Sequence, residues 1–333
     1  MSGAPTTGVK GRLDRYQQSH PWLALPVAVV KKFVEDQAGN LAALISYYAF
    51  FSFFPLLLVL VTALGFAVAG NQQLEDRILH TVTGQFPGLG RTIMPAGQSL
   101  HGSGLGLAIG IALALWAGLA VANAAQTGFN TVWQVPLVDR PGLLKRTLRS
   151  VGLLAILGTN IIVTTLISGL SAGAGSLGFA FGSGARVLLL AASLAINIVL
   201  FVAAFRVLTV RDVSTRAVLP GAVLAAVGWQ ILQWIGGWII TSKLQSASAT
   251  YGTFAVVIGL LTWFFLLGQL ILLATELNVV RARKLWPRGL LAGHLTDADR
   301  RAFTGFASMQ RLEPGVRIDV RFDQQETDGT PER

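Results

Sequence analysis

The chain is 333 residues long, 53% hydrophobic and only 13% charged, with a formal charge of +10 at neutral pH. A mean hydropathy of +0.59 excludes a soluble globular domain, which has no means of hiding that much apolar surface from water. The absence of cysteine excludes disulfides, thiolate catalysis and zinc–thiolate centres.

The N-terminal stretch MSGAPTTGVKGRLDRYQQSHP is polar and is read as retained rather than as a signal peptide. Trp22 to Val30 is apolar but too short to span a bilayer. Leu23, Val27, Val30 and Val34 keep helical spacing, and Lys31 and Lys32 follow. An interfacial amphipathic helix with a tryptophan anchor is expected on the cytoplasmic leaflet.

Leu41 to Gly70 contains no charged side chain and is long enough to cross the membrane. Tyr47, Tyr48, Phe50, Phe51, Phe53 and Phe54 crowd the turns ahead of Pro55, which predicts either packing or a site. Pro55 lacks an amide hydrogen and leaves the Phe51 carbonyl unpaired, and Ser52 is placed to satisfy a freed backbone group. Tyr48, Ser52 and Pro55 fall on one face.

Residues 71–103 are polar. Leu74, Ile78, Val82 and Phe86 predict a short amphipathic helix there, followed by a Gly-Pro-rich loop. The second span, about Leu105 to Trp133, carries a small-residue ribbon through Gly102, Gly106, Gly110, Ala114, Gly118 and Ala122, a pattern that admits a close helix neighbour. Asn123, Gln126 and Asn130 continue it with amides on one face, for which hydrogen bonding between helices is the favoured role.

Four further runs follow, at about 151–170, 186–205, 217–240 and 253–280, for a total of six spans. They carry Asn160, Asn197, Gln230 with Gln233, and Gln269 with Glu276 and Asn278. With both termini cytoplasmic, 22 of the 26 lysines and arginines fall on the inside, and only Arg77, Arg91, Arg186 and Lys243 outside. That asymmetry predicts an N-in, C-in orientation and an affinity of the inner face for anionic headgroups. The expected fold is thus all-α and polytopic. A cytoplasmic N-terminal segment (1–40) precedes a six-helix transmembrane domain (41–281) and a cytoplasmic, partly disordered tail (282–333). In the tail, Thr296 with Asp299 predicts a capped helix, and Ile318, Val320 and Phe322 alternate like a brief strand.

Chemistry-bearing motifs are sparse. GAGSLG at 173–178 satisfies the dinucleotide fingerprint as a string, but it lies in a glycine-rich turn between spans and not in a βαβ unit. No GxxxxGK[ST] motif is present, so this chain has no ATP site of its own. His20, His80, His101 and His294 lie in separate segments, and Glu276 is the single carboxylate within the predicted spans. No enzyme activity, cofactor, metal or nucleic-acid partner is expected. Glu276 lies about a turn from Arg281 and Arg283, and pairing with one of them is its favoured role.

Several segments in order, LAALISYYAFFSFFPLLLVL, WAGLAVANAAQTGFNTVW, LPGAVLAAVGWQ, YGTFAVVIGLLTWFF and ATELN before arginines, resemble the YihY/BrkB family of bacterial inner-membrane proteins. The likeness runs from about Lys32 to Arg288. It implies a six-span helical protein whose relatives lack an agreed activity, although a ribonuclease label and a serum-resistance label have both been attached to the family. Matching positions are Tyr47, Ser52, Pro55, Asn130, Pro220, Gly221, Tyr251, Gly252, Glu276 and Asn278. Relatives often carry a charged residue ahead of Asn130, where this chain has neutral Asn123, Gln126 and Thr127.

Two functions follow as alternatives. One is a transporter or lipid translocator of the bacterial cytoplasmic membrane, whose cavity is lined by Tyr48, Ser52, Pro55, Asn123, Gln126, Asn130, Gln233, Gln269 and Glu276. The other is a membrane scaffold whose amides only join helices and whose tail recruits a partner. A homo-oligomer is compatible with either, and the substrate is open.

Overall fold

The computed structural model describes residues 9–68, 104–176, 183–210, 213–243, 252–290 and 295–322. Among these residues all regular structure is helical. Two short helices, α1 (Val9–Ser19) and α2 (Pro21–Glu35), lead into six long ones. These are α3 (Ala38–Val68), α4 (Gly104–Val132), α5 (Leu143–Ser176), α6 (Ser183–Leu208), α7 (Thr215–Lys243) and α8 (Gly252–Ala282). A tail helix, α9 (Asp297–Met309), follows. By length and apolar composition, five windows within the described residues suffice to cross a membrane: Ala38–Val59, Ala108–Val132, Ala191–Leu208, Thr215–Gly236 and Val256–Ala282. Helix α5 covers the remaining apolar run of the sequence.

Each long helix packs on its neighbours in sequence, and α8 returns to α3, so the six close into a ring. Small residues set their directions. Gly110 faces Leu58 and Val59 while Gly128 faces Ile45 and Leu272, which makes α3 and α4 antiparallel and brings the ends of α4 and α8 together. Gly118 against Leu154, Gly152 against Val207, and Gly221 and Gly236 against Ala274 and Trp263 continue the alternation around the ring. The expected ribbon on α4 does bring helices close, but it serves two partners, α3 and α5.

One end of the ring therefore gathers the start of α3, the α4–α5 and α6–α7 connections and the end of α8. Lysines and arginines crowd these segments, and we call it the basic end. Three turns here place a non-glycine residue at positive φ: Gln37 (52°), Gln134 (49°) and Lys284 (53°). Gln134 and Lys284 end α4 and α8 with the paired bonds of a Schellman motif, Val135 N to Asn130 O and Leu285 N to Val280 O, both 2.8–2.9 Å. Val135 and Leu285 are buried beside them, the apolar contact that this motif favours.

Several details differ from the sequence expectations. Helix α1 was not anticipated, because its residues are polar; it forms against the C-terminal segment. Gly173 and Gly175 belong to the last turn of α5, not to a turn between helices. Residues 316–322 form no strand, since no partner strand lies among the described residues to take up a ladder; Phe322 instead lies under the Arg300 guanidinium. The segment expected to be helical at 74–86, Tyr251, the side chain of Asn160 and the last residues of the tail lie outside the described residues.

Candidate functional site

Helix α2 is the element that organises the charged groups. It buries Ala24, Ala28 and Lys32 at four-residue spacing and leaves Trp22, Val30 and Val34 between 57% and 68% exposed. A helix in water does the opposite; lysine inward and valine outward suits a helix whose outer surroundings are apolar. The buried stripe lies against α8.

At its end, the Lys32 ammonium donates to Asp36, to Glu276 Oε2 at 3.0 Å and to the Val132 carbonyl at 2.8 Å. The side chains of all three ionisable residues are at most 2% exposed. Glu276 thus pairs with a lysine 244 positions away and not with Arg281 or Arg283. Helix geometry explains this: five residues on, Arg281 points to another side of α8, and Arg283, seven on, is two turns higher. Arg283 instead donates to Gln134 Oε1 at 2.9 Å and to the Trp133 carbonyl.

A second cluster adjoins the first on the solvent side. Asp299 of α9 accepts from Lys31 at 2.9 Å, from Arg288 and from the Gly289 amide, while Arg288 also grips Glu35 at 2.8 Å. Burial pushes the Asp299 carboxyl upward, but Lys31, Arg288, the Gly289 amide and Thr296 outweigh it and hold the group well below the usual carboxylate range. Asp299 also closes the complete capping box with Thr296 that the sequence predicted. From α1, Asp14 accepts from the Leu290 amide and Gln17 donates to the Arg288 carbonyl at 2.6 Å. Both ends of the chain are thereby joined at one end of the ring.

A third polar group joins α4 to α5. Arg146 donates to Asn123 Oδ1 at 3.0 Å, and Ser150 bridges Asn123 and Gln126 at 3.1 and 2.8 Å. The charge absent from α4 in this sequence is supplied across the interface by Arg146.

The other expected lining residues are dispersed. Tyr48 is 37% exposed and its ring lies against Tyr47; of the aromatic run, Phe53 reaches Phe264 of α8, while Tyr47, Phe51 and Phe54 are about half exposed. Ser52 donates to the Ala49 carbonyl at 2.9 Å, not to the Phe51 carbonyl that Pro55 leaves free. Gln233 is exposed on α7, Gln269 is half-buried on α8, and Asn130 is buried with its Oδ1 unpaired. Pro220 sits inside α7 immediately before a close crossing with α8, where the Gly221 amide donates to Asn278 Oδ1 at 2.6 Å.

Lys32 and Asp36 did not enter the sequence list, because a lysine beside a short apolar stretch reads as an interfacial anchor. The available signal was the stripe Ala24, Ala28, Lys32, Asp36 at strict four-residue spacing, small residues that lead into an i,i+4 ion pair.

Residues 29–294 match the family model described as Virulence factor BrkB. The chain belongs to the BrkB family. That match includes Lys32, Asp36, Glu276 and Arg288, and it ends just before α9. Named relatives include the ribonuclease-like protein YfkH of Bacillus subtilis, 28% identical over 77% of this chain and 94% of its own length. The inner membrane protein YhjD of Escherichia coli is 26% identical over 77% of this chain and 80% of its own. A UPF0761 membrane protein of Psychrobacter is 25% identical, and this chain spans about half (51%) of its length. No solved structure matches. The BrkB-family membership, the ring of long apolar helices and the named relatives agree on an integral membrane protein.

Proposed function

We propose that this BrkB-family chain moves an amphipathic, lipid-like substrate within or across the bacterial cytoplasmic membrane, without an ATP site of its own. The observation that carries the reading is the sealed basic end of the ring. Buried apolar side chains of the ring, among them Ile45, Phe129, Leu153, Phe205, Val218 and Leu272, collect toward the basic end, where Phe129 and Phe205 meet ring to ring at 5.3 Å. Exposed apolar side chains line the outside of the ring along its described length, among them Ile109, Trp116, Val199 and Phe254, and at the basic end Leu143, Leu144 and Leu148, as suits a surface that faces lipid. A helical ring sealed at one end is what one state of an alternating-access cycle requires. Reconstitution into liposomes, with a fluorescent phospholipid scrambling assay, tests this. Activity that falls in Glu276→Gln and Asn130→Ala supports the residue assignment; activity untouched by both removes it, and absence of any movement removes the function.

The orientation belongs to the same proposal. Contact between residues 14–17 and 288–290 supports an even number of crossings between them. Six is then the count that uses all the long helices. The excess of lysine and arginine at this end supports a cytoplasmic orientation, against anionic headgroups.

A scaffold is the second reading, favoured by the paired Asn123–Arg146–Ser150–Gln126 group and the docked tail. It predicts that loss of 290–333 abolishes function while substitutions in the spans only destabilise. RNA cleavage by the purified protein is not expected; a cleavage assay in detergent, with carboxylate variants as controls, decides that point.

A further inference from the structure

Two carboxylates and one ammonium meet where α2 ends against α8, with side-chain exposures of 2% or less. Lys32 spends its three N–H donors on Asp36, Glu276 and the Val132 carbonyl. Glu276 Oε1 is left without a partner in this dry setting. Fully ionised, the trio would carry one uncompensated negative charge, which burial makes costly enough that such groups take up a proton instead.

The surrounding charges do not remove the excess. On α2, Lys31 and Glu35 turn outward to Asp299 and Arg288. From α1, Asp14 is turned to the Leu290 amide. Helix α4 contributes the Val132 carbonyl, and α3 has no charged residue. Arg283 of α8 is the weakest of the groups that act on Asp36, and it also donates to Gln134 Oε1 and to the Trp133 carbonyl.

We propose that Lys32, Asp36 and Glu276 form a proton-binding site that holds one proton, shared between the two carboxyls, at neutral pH. An O–H bond forms on one carboxyl and donates to the other, with the proton drawn from water at the basic end. Burial raises the Asp36 carboxyl above its ordinary range against the opposing pull of Lys32 and Arg283, in keeping with this count. Because the raised group loses its favourable state as pH rises, deprotonation weakens the α2–α8 contact and protonation restores it. The pair titrates as a unit. This inference does not depend on whether a substrate is moved.

Infrared difference spectroscopy on the full chain in phospholipid vesicles tests the site with the proton alone as ligand. The wild type is expected to show a protonated-carboxyl C=O band at neutral pH that disappears in alkali. Asp36→Asn and Glu276→Gln should each lose it, since one carboxylate beside one lysine is balanced and stays ionised. If one variant fails to fold, the other still decides. No such band in the wild type, or a band retained in a folded Asp36→Asn or Glu276→Gln chain, overturns the proposal.

Discussion

The Gly221 amide donates to Asn278 Oδ1 at 2.6 Å, across a close crossing of α7 and α8. A Cβ on Gly221 would overlap both the Ala274 carbonyl oxygen and the Asn278 amide, so the glycine and the asparagine require each other. Gly221→Ala is expected to destabilise the chain by about 2 kcal/mol through overpacking. Tryptophan-fluorescence melting in detergent reads this out. Gly142, with open space around it, provides the control: Gly142→Ala should melt like the wild type.

Asp299 governs the tail. Its lowered carboxyl pKa means that its stabilisation is complete above the ordinary carboxylate value of about 4 and is lost as pH falls through the folded-state value. Docking of α9 should therefore be indifferent to pH across the neutral range and fail only in strong acid. Asp299→Asn removes the charge at every pH, leaves Arg288 buried opposite an amide, and is expected to cost about 3 kcal/mol. Trypsin cleavage at Arg300 and Arg301 measures the release.

Gln134 accepts an unfavourable backbone for the sake of its side chain, which reaches Arg283 at 2.9 Å and the Ala302 carbonyl at 3.3 Å. Gln134→Gly should relieve about 1 kcal/mol of strain while undoing those bonds. The expected result is a tail more open to protease on a ring that unfolds no earlier. A tail that stays protected would show that Gln134 does not hold α9.

Asn123→Ala takes from Arg146 one of its two side-chain acceptors on α4, Thr127 being the other, and from Ser150 one of its two partners. A loss of about 1 to 2 kcal/mol is expected in detergent unfolding. Ser150→Ala should cost less in that background than alone, because the two act on one network.

Orientation is open to direct chemistry, since the chain has no cysteine of its own. Gly142→Cys should react with an impermeant maleimide only when the cytoplasmic face is accessible, and Ser99→Cys only from outside. The reverse pattern would overturn the proposed topology.

The long helices were legible because hydropathy over a whole span is a sum that no single contact can reverse: four of the predicted runs lie wholly within a helix of the ring, and the first two begin in α3 and α4 and pass their ends by one or two residues. The capping box at Thr296 was legible because it is local. Partners were not. Glu276 was matched to the nearest arginines in sequence, whereas its cation comes from the first amphipathic helix, a pairing set by ring closure and not by spacing. Asn123 and Gln126 were correctly read as joining helices, but their partner on α5 is invisible without the antiparallel register. The aromatic run before Pro55 marked a face, and only the fold shows that most of it looks outward.

The inverted faces of α2 bear on the order of assembly. Its lysine has Asp36 four residues on, but the second acid, Glu276, comes only with α8, and Glu35 and Lys31 wait on Arg288 and Asp299. As the ribosome delivers the chain, α2 precedes by more than 200 residues the helix its buried stripe packs on, and it can seat only when α8 arrives. Assembly of this end thus closes where synthesis began, and a chain cut short before α8 leaves the inward face of α2 uncovered.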